Sequence, residues 1–247
     1  MSGTGQIARF NAPYYVASLC VVGGIGAAVK FMLLPRVLDG VLIFAAGVAL
    51  FWTAGSLLVS CYVYDYAAVT QWEWLPEVMR DRPKKWLNIH AGLDQSTTAL
   101  KRLFPGSESQ AVDIYDPNEM TEGSIGRARR IYGPADHSTR SALDTLPAAD
   151  ASQDMVFVLF AAHEIRHRDR RVVFLRECAR VLKPGGTILL VEHPRDWKNF
   201  AAFGPGFLHF HSRREWLRAV EAAGLRLNRE AQITPFVMWF LFRRSEA

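Results

Sequence analysis

Charge is nearly missing from the first 66 positions. Of the 29 basic and 24 acidic side chains in this 247-residue chain, only Arg9, Lys30, Arg36, Asp39 and Asp65 lie there. A water-facing fold needs polar outer surfaces, so an ordinary soluble domain is excluded for that stretch. Cysteine is scarce too. Cys20, Cys61 and Cys178 stand far apart, which excludes a disulfide framework and any cysteine metal motif, and they read as small packing residues. No metal ligand is expected anywhere in the chain. Repeats, low-complexity segments and nucleic-acid-binding motifs are also lacking. The formal charge of +5 and pI near 9.3 arise from short scattered groups: Arg127, Arg129 and Arg130, then Arg166, Arg168, Arg170 and Arg171, then Arg213 and Arg214. These read as solvated helix faces or as an attraction for anionic lipid headgroups, and no nucleic-acid partner is expected.

Two long apolar runs fill the uncharged region. Pro13 to Leu34 is broken only by Lys30, and Gly40 to Val63 carries no charge. Each is about 20 residues or longer, enough to cross a hydrocarbon core of ~30 Å as a helix. Pro35 to Asp39 forms a short turn between them, so the runs predict a transmembrane hairpin with both ends on one side. Buried core helices and a cleaved signal peptide are the alternatives. The run lengths oppose the first, and the second run, with no cleavage site before it, opposes the other. Gly23, Gly24, Gly26, Ala27 and Ala28 in one run, and Ala45, Ala46, Gly47, Ala54 and Gly55 in the other, are predicted to let the helices approach closely. Tyr62, Tyr64, Tyr66, Trp72 and Trp74 would mark the interface, and Arg80, Arg82, Lys84 and Lys85 beyond them favour a cytoplasmic position for the rest. The predicted organisation is a tail over 1–12, the hairpin over 13–66, an interfacial linker over 67–84 and a second domain over 85–247.

From residue 85 onward short apolar strands alternate with helical segments, the pattern of a parallel α/β sheet. Strands are predicted at Lys85–Ile89, Gln110–Asp113, Asp154–Phe160, Thr187–His193, Leu225–Ile233 and Phe236–Phe242. Helices are predicted at Ser96–Phe104, at Arg168–Leu182 and, capped by Ser212, at Arg213–Gly224. Pro184-Gly185-Gly186 reads as a sharp turn between helix and strand. Asn118 to Ala151 is the least legible part, and Arg127–Tyr132 stays open between helix end and strand.

The strand at Asp154, the turn Ala161-Ala162-His163-Glu164-Ile165, the helix carrying Arg180 and the run Leu182-Lys183-Pro184-Gly185-Gly186 follow one another in a recognisable order. Residues 85 to 243 resemble the class I S-adenosylmethionine-dependent methyltransferases, in the branch of the quinone-biosynthesis C-methyltransferases. The resemblance implies a Rossmann-like, mostly parallel seven-stranded sheet flanked by helices, closed by an antiparallel pair and preceded here by the two transmembrane helices. It also implies S-adenosylmethionine as cofactor. The family's first loop reads acid-x-Gly-x-Gly-x-Gly; the matching residues are Asn88-Ile89-His90-Ala91-Gly92-Leu93-Asp94, so only Gly92 is kept. By resemblance Asn88, His90 and Gly92 line the cofactor, Asp113 accepts from the ribose hydroxyls, and Asp136 faces the adenine amino group. Asp94 is expected to cap the next helix, leaving the N–H groups of Gln95 to Thr97 toward the pocket. His163 takes the first histidine position of the family's turn and is the expected general base, with an ordinary imidazole pKa. Glu164, His193, His209 and His211 are further candidates.

Trp197 to Phe210 is rich in aromatics and glycine and reads as a lid or a membrane-facing lip. The expected function is a membrane-anchored methyltransferase acting on a hydrophobic small molecule or lipid. The alternative is a catalytically degenerate, membrane-tethered binding or scaffold subunit. A nicotinamide-dependent dehydrogenase is disfavoured because no Gly-x-Gly-x-x-Gly follows the first strand.

Overall fold

A computed structural model describes residues 3–32, 34–79 and 81–245, so Arg80 of the basic cluster lies outside the described residues. The chain divides into two compact units: Met1–Ala67 with Trp197–Phe207, and Ala68–Asp196 with Leu208–Ala247.

In the first unit α1 (Gly3–Phe31) and α2 (Arg36–Cys61) pack as a hairpin. Both begin earlier than the apolar runs. The predicted tail is helical from Gly3 and Pro13 lies inside α1, while α2 starts directly after Pro35. Asp65, in the π-helical turn Tyr62–Tyr66, explains its own place in an apolar segment. Its carboxylate accepts the N–H groups of Gly3 at 2.5 Å and Thr4 at 3.0 Å, donors that a helix start otherwise leaves unmet. The helices are joined by hydroxyls rather than by glycines. Ser18 Oγ lies 2.7 Å from Thr53 Oγ1, and Ser56 Oγ donates to the Tyr15 hydroxyl at 3.3 Å. A Cβ at Gly23, Gly24, Gly26 or Gly47 would meet nothing within 4 Å, so the expected close approach at these glycines is not what they provide. At Gly55 it would come within 3.2 Å of the Ala202 carbonyl oxygen, on α7 (Trp197–Phe203). Val16, Leu19, Phe44, Phe51 and Leu58 point outward and exposed. Two helical stretches, Ala12–Phe31 and Arg36–Tyr66, are long and apolar enough to cross a membrane, with mean hydropathies of 1.6 and 2.1.

The second unit holds a seven-stranded sheet: β1 (Lys85–His90), β2 (Glu108–Asp113), β3 (Ser138–Arg140), β4 (Gln153–Leu159), β5 (Leu182–Glu192), β6 (Leu225–Thr234) and β7 (Val237–Arg244). The order is β3-β2-β1-β4-β5-β7-β6, and β7 runs antiparallel to its neighbours β5 and β6. The helices of this unit are α3 (Leu75–Val78), α4 (Thr97–Leu103), α5 (Gly123–Tyr132), α6 (Arg168–Val181) and α8 (Arg213–Ala222). The undecided stretch at Arg127 is thus helical, and β3 lies in the polar segment after it. Pro184-Gly185-Gly186 belongs to β5 as a bulge: Gln153 pairs with Leu182 but Met155 with Thr187, and Gly185 has φ +81°. Alternation along the strands sends Leu87, Ile89, Val156, Val158, Ile188 and Leu190 into one core with α6 and α8, where Cys178 packs as expected. Trp86, Phe104 and Phe157 form an aromatic cluster of their own. Trp72, expected at an interface, is instead buried in this unit beside Phe160, at φ +61°. Because β2 and β4 leave β1 on opposite sides, the strand order reverses at β1 and β4, the place where open sheets take ligands beyond their C-terminal ends.

Candidate active site

The loop after β1 is tied down by its own side chains. Asn88, fully buried at the middle of β1, donates through Nδ2 to Thr97 Oγ1 at 2.7 Å and Ser96 Oγ at 2.9 Å. Its Oδ1 is buried and has no hydrogen-bond partner among the described residues. Asp94 caps α4 as expected, but Oδ1 itself takes the N–H groups of Ser96 at 3.1 Å and Thr97 at 3.0 Å, so these do not face the pocket free. Burial works against the Asp94 charge; bonds from Thr97 and His137 outweigh it and hold the carboxyl below the usual range.

His90 turns to β3, where Nε2 meets Ser138 Oγ at 2.7 Å, and burial pushes its pKa down, leaving a neutral ring. Gly92 has φ +88°, and a Cβ there would sit 3.3 Å from Tyr115, so glycine is required for two reasons. Asp113 ends β2 with both oxygens engaged. Oδ1 accepts the Tyr115 N–H at 3.0 Å, and Oδ2 accepts from Arg129 Nη1 at 2.6 Å. Arg129, on α5, also donates to the Gly92 carbonyl at 3.2 Å and lies 5.3 Å over the Tyr115 ring. Asn88, His90, Gly92 and Asp113 therefore share one end of the sheet. Asp136 is exposed in the turn before β3, and its neighbour His137 is the residue that reaches this loop, 2.6 Å from Asp94 Oδ2.

A second cluster stands beyond β4 and β5. His163 lies in the turn Ala162–Glu164, and Nδ1 is 2.6 Å from Glu192 Oε2 at the end of β5. Oε1 of Glu192 accepts the N–H groups of Ala162 at 2.9 Å and His163 at 3.1 Å, so one carboxylate fixes both the turn and the ring. Burial alone would lower the His163 pKa, but Glu192 and Glu164 reverse this and raise it to about 10. The expected ordinary imidazole is therefore not found. Glu164 Oε1 lies 3.5 Å from His163 Nε2 and 3.6 Å from His209 Nε2. Burial opposes the Glu164 charge, yet the two histidines hold its pKa well below the carboxylate range.

His211 and His193 are engaged by protein partners. Arg171 donates to His211 Nε2 at 3.0 Å, and burial with that neighbouring charge lowers His211 to about 3. His193 Nδ1 meets the Phe236 carbonyl at 2.8 Å while its ring stacks on Phe210. Two site residues escape a reading of the sequence. Arg129 could have been found from its place four residues after buried Ile125, on the inward face of a helix. Glu192 carries only the signal of an acid at a strand end.

Residues 87–190 match the methyltransferase domain family. The chain carries a class I methyltransferase domain. A ubiquinone/menaquinone biosynthesis C-methyltransferase of Nitrosospira multiformis is 33% identical over 114 residues, 45% of this chain and 44% of the relative. A malonyl-[acyl-carrier protein] O-methyltransferase of Methylococcus capsulatus is 31% identical over 109 residues, 43% of this chain and 36% of the relative. The chain spans less than half the length of the curated relatives it matches. A SAM-dependent methyltransferase from Aquifex aeolicus has the same fold, with a TM-score of 0.55 at 18% identity over 72% of this chain and 93% of that one. In the methyltransferase domain, both clusters lie at the C-terminal ends of the central strands.

Proposed function

We propose that the protein is a membrane-anchored S-adenosylmethionine-dependent methyltransferase whose acceptor is a hydrophobic small molecule or lipid. The observation that carries the reading is His163, fixed by Glu192 beyond β4 and β5, within a domain that matches the methyltransferase family. The residues beyond β1 and β2 fit the cofactor. The unpartnered Oδ1 of Asn88 is an acceptor for its ammonium group, and the Asp113 carboxylate suits a ribose diol once Arg129 gives it up. The cofactor supplies a methyl group already activated on sulfur, so the chain's task is alignment and, for an acceptor that must lose a proton, a group to hold it. His163, held by Glu192 and facing Glu164, is placed to engage that acceptor.

The membrane and the apolar acceptor are supported by the outward apolar side chains of α1 and α2 and by the exposed Trp197 and Phe200 of α7 in the same unit. Relatives named for quinone and malonyl-carrier methylation define the acceptors to try. The test supplies methyl-labelled S-adenosylmethionine to the bilayer-embedded protein with a prenylated quinol or a fatty-acyl carboxylate. Label is expected in the lipid phase, and His163→Ala should lower turnover about 10²–10⁴-fold with cofactor affinity nearly unchanged. The Arg129–Asp113 pair favours a second reading, a non-catalytic scaffold, for which calorimetry would show no binding of either S-adenosylmethionine or S-adenosylhomocysteine.

A further inference from the structure

We propose that His163, Glu164 and His209 form a binding site for a divalent cation of the zinc class, beyond the C-terminal end of β4. One candidate ligand atom from each residue lies within 4.8 Å of the others. The His163 Nε2–Glu164 Oε1 distance of 3.5 Å and the His209 Nε2–Glu164 Oε1 distance of 3.6 Å are long for hydrogen bonds. They are close to the separation, roughly 3.3 Å, of two ligands on a tetrahedral ion bound at about 2.0–2.1 Å.

Glu164 itself points to a ligand. It is only 6% exposed, and its Oε2 is buried with no hydrogen-bond partner among the described residues. A carboxylate so placed is costly unless a cation meets it. Glu192 supplies the outer support such a site needs: with its Oε2 2.6 Å from His163 Nδ1 it fixes the ring so that Nε2 faces Glu164, the nitrogen an ion would take in place of its proton.

Charge balance agrees. Arg166 is the guanidinium against the cluster, 3.1 Å from His209 Nδ1 and 2.5 Å from the His209 carbonyl oxygen. A divalent cation would displace the Nε2 proton of His163; with both rings then neutral, the carboxylates of Glu122, Glu164 and Glu192 against the Arg166 guanidinium leave an excess of two negative charges, which the ion cancels. With the ion on Nε2 of His209, the ring proton would sit on Nδ1 facing Glu122 Oε2, 3.6 Å away, and Arg166 Nη1, now 3.1 Å from that nitrogen, would turn from it and donate to the His209 carbonyl alone. Two histidines and one carboxylate leave a coordination position open, so the ion would polarise an acceptor oxygen there. His163 would then be a ligand rather than a base. Loss of turnover in His163→Ala follows from either role, so the test reads metal binding, which does not depend on methyl transfer.

The full chain in detergent, without a polyhistidine tag and stripped by a chelator, is titrated with Zn²⁺ by equilibrium dialysis. Co²⁺ provides a second probe through its visible absorption. One equivalent is expected, with binding weakened at least ~10-fold in Glu164→Gln and in His209→Gln, and unchanged in His167→Gln, an exposed histidine outside the cluster. Glu192→Gln keeps all three ligands and should weaken binding about 10–100-fold, which serves if a ligand variant fails to fold. No saturable binding by the wild type, or undiminished binding in folded Glu164→Gln and Glu192→Gln, would overturn the proposal.

Discussion

At the scale of single residues the decisive contact is Arg129 on Asp113. Both side chains are nearly buried, and the 2.6 Å bond neutralises the carboxylate proposed for the cofactor's ribose. Breaking a buried pair costs about 3–5 kcal/mol because one charge is left without compensation. Arg129→Met should therefore lower thermal stability while raising affinity for S-adenosylmethionine, since Asp113 becomes available. Asp113→Ala should weaken the cofactor by roughly 1.5–3 kcal/mol through lost charge-assisted bonds. Calorimetry on both variants checks the pair. Weaker binding in Arg129→Met would mean that the guanidinium contacts the ligand and does not compete with it.

At the scale of elements, α8 shows how a local sequence signal becomes stability. Ser212 and Glu215 form a capping box: the Ser212 hydroxyl accepts the Glu215 N–H at 3.3 Å, and Glu215 accepts the Ser212 N–H at 2.7 Å. Arg195 adds a further bond at 2.5 Å. Burial opposes the Glu215 charge, but Ser212 and Arg195 outweigh it and hold the pKa at about 2, below the ordinary 4.5. The folded value is depressed, so the contribution is fully present above the ordinary pKa and fades as pH falls from about 4.5 toward 2. Ser212→Ala should cost about 1 kcal/mol at neutral pH. Glu215→Gln should be destabilised relative to wild type at pH 7, with the gap closing in acid; urea midpoints across that range measure it. A gap independent of pH would show that the carboxylate's charge is not what holds the cap.

At the scale of the whole molecule the exposed apolar surface of α1 and α2 needs a partner, and the proposed partner is the bilayer. The full chain should stay in the membrane pellet through alkaline carbonate extraction. A chain beginning near Glu73 should come free of it or hold only peripherally, because Trp197 and Phe200 of α7 remain as apolar anchors. Release of the full chain by carbonate would sink the anchor.

The sequence by itself determined whatever is written in local periodicity: two apolar runs long enough to be membrane helices, alternation of strand and helix, the Ser212 cap, the glycine at position 92. Each depends on neighbours a few residues apart, which burial on one face or backbone sterics makes readable. Asn118 to Ala151 resisted because β3 has only three residues and a mostly exposed pattern, too short to show a period. Tertiary structure alone decided the site. The register that sets Leu159 beside Val191 carries Glu192 to His163, and the packing of α5 carries Arg129 to Asp113. His209 reaches Glu164 from a distant loop. Ion pairs and shared ligands of this kind join side chains far apart in the chain, and no spacing rule encodes them. They exist only once the sheet has fixed where each strand ends.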